Sequence, residues 1–544
     1  MLTAYFDVAG FLAVVLRGIV LVAEMAVVGG VVFHVAIAAP ALPQLGTSGP
    51  DLLRACNRVM RGAALAAAAA IIASLWLTSE ILVESAEVER AALLDASFVV
   101  AGLTSVFAYL ALAVLGRPSR PFLLAGLAAI VIAGSAATSH AAAQLHGRAL
   151  LLAADALHEA AAASWIGGIP YLLMALARYP DGVTTRLIGK RFSLMAMAAV
   201  AALALAGVVM GFAYIDSVAA LYGTAYGLMV STKVALFGVL LAFGAANFRT
   251  VERLRADPTV PSVRFRRFAE AEVGIGLAVL FTAASLTSLP PATDLRLDRP
   301  TAAEVIQRLT PRWPSLDGPI LVDLPTGQRS IIGVREAARL IAAGDVIDSG
   351  RKDATLDVLW SEFNHNWSGV FVFIIGFLAL LERTGHFPWG RHWPLLFVPL
   401  AVAIFIFADP ENWPIGPIPF AEGFKNSEIT QHRLVVPLLA VFGVFEWAVR
   451  TGRITSQRLA LVFPVASGLG AGLLLLHSHS VGNPKLELLI EWTHVPLALL
   501  GLAAAIARWL ELRLPPSARA IPATVWPICF MLVGLLLLTY RETS

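Results

Sequence analysis

The chain has 544 residues, 58% of them hydrophobic and only 14% charged, with a mean hydropathy of +0.76. That excludes a water-soluble globule, and the many runs of about 20 apolar residues have the length that crosses a bilayer. The net charge of +3 is scattered through short loops and offers no basic surface to nucleic acid, while two distant cysteines, Cys56 and Cys529, exclude a CxxC redox or metal motif.

In chain order, the opening MLTAYFDVAGF has neither a basic n-region nor a small-residue cleavage site, so it reads as part of a first span. Apolar runs then place spans near 10–38, 60–82, 96–115, 122–144, 150–177, 192–215, 226–248 and 268–289. A long polar stretch over 290–364 follows, and six further spans are expected near 366–383, 393–408, 432–449, 457–478, 486–510 and 522–540. The fold class is therefore all-α, a polytopic membrane protein of about fourteen spans. Three parts are expected: an eight-helix domain over 1–290, a loop or small cap over 291–364, and a six-helix, histidine-rich domain over 365–544.

Cytoplasmic loops hold an excess of Lys and Arg, which tests the order of the spans. Alternate loops carry Arg54/Arg58/Arg61, Arg117/Arg120, Arg178/Arg186/Lys190/Arg191 and the six arginines between Arg249 and Arg267. In the second half the same side receives Arg383/Arg391, Arg450/Arg453/Arg458 and Arg508/Arg513/Arg519. The intervening loops are neutral or acidic, as at Glu84/Glu87/Glu89 and Asp409/Glu411/Glu422. Both termini then lie outside, on the periplasmic side of a bacterial inner membrane.

This topology gathers His140, His146, His158, His365, His432, His477, His479 and His494 on or near the outer face. Two stretches share one pattern. In TSHAAAQLHGRALLLAADALHEAAAASWIGG, His140 ends a run and Asp155 and His158 sit three residues apart on one helical face. In LLHSHSVGNPKLELLIEWTHVPLALLG, His477 and His479 end a run and Glu491 and His494 repeat the acid-x-x-His spacing. At 1.5 Å per residue, His494 lies roughly 14 Å along its helix from Lys485. Neutral imidazoles with a carboxylate at i, i+3 suit copper or zinc, and ionisable groups within a membrane are usually functional. The candidate metal ligands are His140, Asp155, His158, His365, His432, His477, His479, Glu491 and His494, with His365 and His432 expected to open helices on the outer side. Bound by these histidines, b-type haem or a catalytic copper is the alternative. A docking role for the six-span half is a third reading. Glu24 follows Arg17 on nearly the same face of the first span and reads as a structural ion pair rather than a step in a proton path. Met195, Met197, Met210 and Met229 are packing residues or soft ligands for Cu(I). The chain has no GxxxxGK[ST] phosphate loop, no DKTGT sequence and no CxxCH haem-attachment site.

His140, then DALHEAAAASWIGGIPYLLMAL from Asp155, RFSLMAMAAVAALALAGVV from Arg191 and LYGTAYGLMVSTKVALFGVLLAFGAANFRTVERL from Leu221 arrive in an order that resembles the copper resistance protein D (CopD) family. The resemblance covers roughly 140–289 and rests on His140, His158, Trp165, Gly167, Gly168, Arg191, Phe192, Lys233 and Asn247. It implies copper handling at the periplasmic face of the inner membrane, with a small periplasmic copper-binding partner of the CopC type. The expected function is to take copper from the periplasmic side and move it into or across the membrane, by ligand exchange between sites of graded affinity.

Overall fold

The computed structural model describes residues 2–45, 49–86, 89–117, 119–257, 259–295, 299–323, 329–333, 349–410, 412–416, 418–424, 427–475 and 484–541. Lipid offers no hydrogen bonds to a bare backbone, so apolar runs of this length satisfy their amides internally as helices. Twelve helices among the described residues are long and apolar enough to cross a membrane, and Pro121–Ala137 and Leu459–Leu474 are shorter apolar helices. The protein is an all-α, multi-pass membrane protein. It divides into two compact units, one over residues 1–300 and one over most of 301–544.

The first unit holds α1 (Leu2–Val32), α2 (Gly49–Ala86), α3 (Ser97–Leu115), α4 (Pro121–Ala137), α5 (Arg148–Ala162), α6 (Gly182–Tyr214), α7 (Ala225–Ala256) and α8 (Val263–Thr287). Each falls on one of the first eight expected spans. Helix α5 does not end at Ala162. It passes through a π turn, Ala163–Gly167, into a further helix, Ile169–Arg178. A π turn inserts a residue and rotates the helix beyond it, and such turns recur at functional sites. Here the turn carries Trp165 and brings the chain against α1. A Cβ on Gly29 would stand 2.3 Å from the Gly167 carbonyl carbon, and one on Gly167 would stand 2.0 Å from the Met25 oxygen. Between helices in lipid, dispersion between closely approaching backbones replaces the hydrophobic drive, so small residues at the crossing bring the helices together. The Tyr171 hydroxyl fastens the same crossing by donating to the Ala26 carbonyl at 2.6 Å.

In the second unit, the stretch expected as a loop or small cap contains regular structure. It holds the short helix α9 (Ala302–Leu309), an antiparallel pair β1 (Pro319–Asp323) and β2 (Arg329–Gly333) with Leu321 opposite Ile331, and the first turns of α10 (Ser349–Arg383). His365 therefore lies inside α10 rather than opening a helix, because the helix starts well before the apolar run. The remaining helices are α11 (Phe397–Phe407), α12 (Ser427–Arg450), α13 (Val462–Leu474), α14 (Pro484–Arg513) and α15 (Ala520–Leu538). Helices α10 and α15 meet through Gly369, Gly376 and Gly534, where any Cβ would lie within 2.7 Å of the opposing backbone.

The core of this unit is aromatic. Trp393 packs on Phe463 at 5.5 Å and on Trp526 at 5.6 Å between ring centroids. Against it lies a buried charge network. Glu446, fully buried, pairs with Arg450 at 3.0 Å and with Arg508 at 3.7 Å. Arg508 also reaches Glu511 at 2.6 Å, and Glu511 accepts the Trp526 indole N–H at 2.7 Å. The Arg450 guanidinium covers the faces of both tryptophans. By sequence, Arg450 and Arg508 belong with the loop arginines; the structure turns both inward.

Helix α9 is tied to the start of α14 by Glu304. Its carboxylate meets Lys485 Nζ at 2.7 Å and accepts the Thr301 amide at 2.7 Å in a capping box. The Lys485 hydrogen bond, followed by those from Thr301, holds the Glu304 carboxyl at about 2, against an ordinary value of 4.5. A depressed carboxyl supports the contact above its unfolded value and loses that support as pH falls through the folded one. Hydrogen exchange in α9 is expected to accelerate as pH drops from 4.5 towards 2, after correction for intrinsic rates, and Glu304→Gln is expected to abolish that dependence. In the first unit, Gly167→Ala is expected to lower thermal stability in detergent by about 1–3 kcal/mol or more through overpacking. Gly207→Ala, with nothing within 4 Å of the added methyl, is expected to be near neutral in the same measurement.

Candidate metal sites

In the first unit, His140 opens a short helix, His140–Ala143, whose preceding Ser139 caps it by accepting the Ala141 amide at 3.3 Å. That turn lays the His140 ring against Tyr214, the last residue of α6, and Tyr226, near the start of α7, each at 6.5 Å between centroids. The two tyrosines meet each other at 6.2 Å. Asp155 on α5 lies within Coulombic range of both tyrosines and of Lys233 on α7. One turn further along α5, His158 lies close to the Leu203 backbone of α6 and within range of the same lysine. His140, Asp155 and His158 thus belong to one polar patch walled by α5, α6 and α7.

Three atoms in this patch are buried with no hydrogen-bond partner in the protein: His140 Nε2, Asp155 Oδ2 and His158 Nδ1. A buried polar atom left unpaired costs about 1–3 kcal/mol. All three are metal-donor atoms. The neighbouring acid, Glu159, takes a different role. It accepts the Ser135 hydroxyl of α4 at 2.9 Å and stands with Glu24 and Arg17 of α1. Glu24 is thus not a simple partner of Arg17 but one member of a buried carboxylate group.

In the second unit, His365 on α10 and His494 on α14 come together edge to face at 6.3 Å. Tyr540, just beyond α15, stacks on His365 at 4.0 Å and meets His494 at 6.0 Å. Each histidine sends Nδ1 to the carbonyl one helical turn back, His365 to Ser361 at 2.7 Å and His494 to Ile490 at 2.9 Å. A carbonyl only accepts, so Nδ1 carries the hydrogen and the lone pair is on Nε2, the nitrogen suited to ligate. Glu491, three residues before His494, is buried with Oε2 unpartnered. His432 takes another partner, Asp409, at 2.9 Å. His477 and His479 lie outside the described residues.

Among the described residues, no three His, Cys, Asp or Glu side chains converge closely enough to hold a metal ion together. The patches are open sets of donors rather than closed cages. Several members escape sequence reasoning. Tyr214, Tyr226 and Tyr540 come from helix ends far along the chain, and no local spacing marks them. Glu159 adjoins His158 in sequence but points to another face of α5.

Residues 186–286 match the model of the copper resistance protein D family. This match covers α7 and almost all of α6 and α8, and leaves out the His140–Trp165 part of the resemblance. Over 163 residues the chain is 35% identical to the copper transport protein CutJ of Bacillus subtilis (strain 168). The aligned stretch is 29% of this chain and 29% of that protein, so the chain spans less than a third of its relative's length. No solved structure matches.

The tautomers of the second unit are open to direct measurement. In lipid at neutral pH, selectively labelled protein is expected to show His365 and His494 as Nδ1–H imidazoles by nitrogen NMR. Nε2–H signals for the pair would contradict the helix-carbonyl contacts.

Proposed function

We propose that this is a copper-handling protein of the bacterial inner membrane, which receives copper at its periplasmic face and moves it into or across the bilayer. The observation that carries the reading is the set of buried, unpartnered donors at His140, Asp155 and His158, facing the two helices that open the copper-resistance family match. Copper is cargo here. The His140 and His158 ring nitrogens supply imidazole donors, Asp155 supplies charge, and Tyr214 and Tyr226 wall the patch.

The openness of the patch supports movement over storage. A cage of four converging ligands would trap the ion, whereas donors that do not close on one point let each new contact form as an earlier one breaks. In the second unit, His365, His494 and Glu491 supply a further donor set, with His432, His477 and His479 kept as proposed contributors. Their lone pairs on Nε2 are oriented by the helix-carbonyl bonds, as second-shell contacts orient the imidazoles of metal sites. The edge-to-face contact of His365 and His494 at 6.3 Å favours copper over haem, since a porphyrin plane does not fit between rings already touching. Both termini are proposed to face the periplasm, and a small copper-binding protein of the CopC type is the proposed donor.

The test is cellular copper accumulation with the wild type, His158→Ala and His494→Ala, at matched levels of folded membrane protein. Both variants are expected to fall to the vector background. Wild-type accumulation in both would reject the reading. Metal analysis of detergent-purified protein is expected to find copper in the wild type and less of it in each variant.

A further inference from the structure

Helix α8 carries one acid that no sequence pattern marked. Glu272 is 4% exposed and lies four residues, or roughly 6 Å, inside the apolar run that begins near 268, just beyond Arg267 and Glu270, which pair with each other. Asn247 of α7, 6% exposed, donates its Nδ2 to Glu272 Oε1 at 2.5 Å. The Trp165 indole, presented by the π turn that follows α5, is within hydrogen-bonding reach of the same carboxyl. Among the described residues, no arginine, lysine or histidine pairs with Glu272. The elements packed against α8 carry other charged or titratable groups, engaged elsewhere or at the helix ends. On α1, Arg17 and Glu24 belong with Ser135 and Glu159. On α7, Lys233 faces Asp155, and Arg249, Glu252, Arg253 and Arg255 lie towards the cytoplasmic end. After the π turn, Tyr171 donates to Ala26 and Arg178 closes the helix.

An ionised carboxylate buried among apolar helices with no counter-charge is costly, and buried acids of membrane spans recur on ion or proton pathways. The partners of Glu272 suit a group that changes its protonation. Asn247 presents an N–H₂ donor to the carboxylate, and its Oδ1 is buried with no partner. An amide turned about its last bond offers that oxygen to a carboxylic O–H instead, so one side chain can serve both states. The Trp165 indole N–H, within reach of the carboxyl, can donate to it in either state. We infer that Glu272, held by Asn247 beside Trp165, is a buried proton-binding site, and that its loading and release accompany the movement of copper. The second half of this inference rests on the copper reading; the first does not. The step is a proton transfer from water to a Glu272 oxygen and back, with no other bond made or broken.

Infrared difference spectroscopy of metal-free protein in lipid, taken across pH, tests the site itself. The wild type is expected to show a carboxylic C=O band that appears on acidification and is missing from Glu272→Gln. Glu24, Glu159 and Glu491 contribute bands of their own, so the readout is the difference between these two proteins. Asn247→Ala keeps the acid but removes a partner, and is expected to shift the band in frequency; it serves equally if Glu272→Gln does not fold. Spectra in which neither variant changes any pH-dependent band would overturn the site, and so would a band that responds to sodium at fixed pH. Coupling is tested in proteoliposomes with a trapped pH dye and a copper gradient. Proton flux accompanying copper in the wild type, and falling to that of empty vesicles in Glu272→Gln, is the expected result. Copper movement without proton flux in the wild type overturns the coupling. No copper movement, with the Glu272 band intact, overturns the copper reading and leaves the proton site standing.

Discussion

A polar atom placed in hydrocarbon must find its partner within the protein, because no water is there to replace it. The backbone meets this demand by coiling into helices, so composition alone is enough to impose the secondary structure. Side chains meet it one by one. In the second unit, Glu446 answers with two arginines and Arg450 with two tryptophan faces. Removing one member of such a network strands a buried charge at about 3–5 kcal/mol, which makes it a structural keystone rather than a device free to change state. Where the demand is left unmet, as at His140 Nε2, Asp155 Oδ2 and His158 Nδ1, the unpaired atoms are the donors proposed to receive copper.

The two units treat their histidines differently. His365 and His494 are locked by their own helices, each Nδ1 bound to a carbonyl one turn back, and Tyr540 covers the pair. Such rings are fixed in orientation and in tautomer. His140 rests against two tyrosine edges, and His158 reaches across to a neighbouring helix. These contacts are made between elements, so a small shift of α6 alters both at once. A site that must accept and then yield its cargo benefits from the second arrangement, and a site that must present a fixed ligand benefits from the first.

Helix α5 connects these themes within the first unit. Its regular part carries Asp155 and His158 into the polar patch and Glu159 towards Ser135 and Glu24. The π turn at its end rotates Trp165 to Glu272, while Gly167 lets α1 approach to backbone contact.

The sequence by itself determined the helical class, the position and order of the helices, and the acid-x-x-His pairs, because hydrocarbon thickness and the 3.6-residue turn are local constraints that a single run of residues reveals. Asp155/His158 and Glu491/His494 were legible for that reason. Only the tertiary structure decided which donors meet. It gave His432 the partner Asp409, drew Tyr214, Tyr226 and Tyr540 beside the histidines, and turned Arg450 and Arg508 from loop markers into partners of Glu446. It also set Glu272 opposite Asn247, a pair 25 positions apart on different helices. Such partnerships depend on how helices cross and rotate against one another. Those angles are set by glycines at the crossings and by a π turn whose effects are felt far along the chain, and no local period records them.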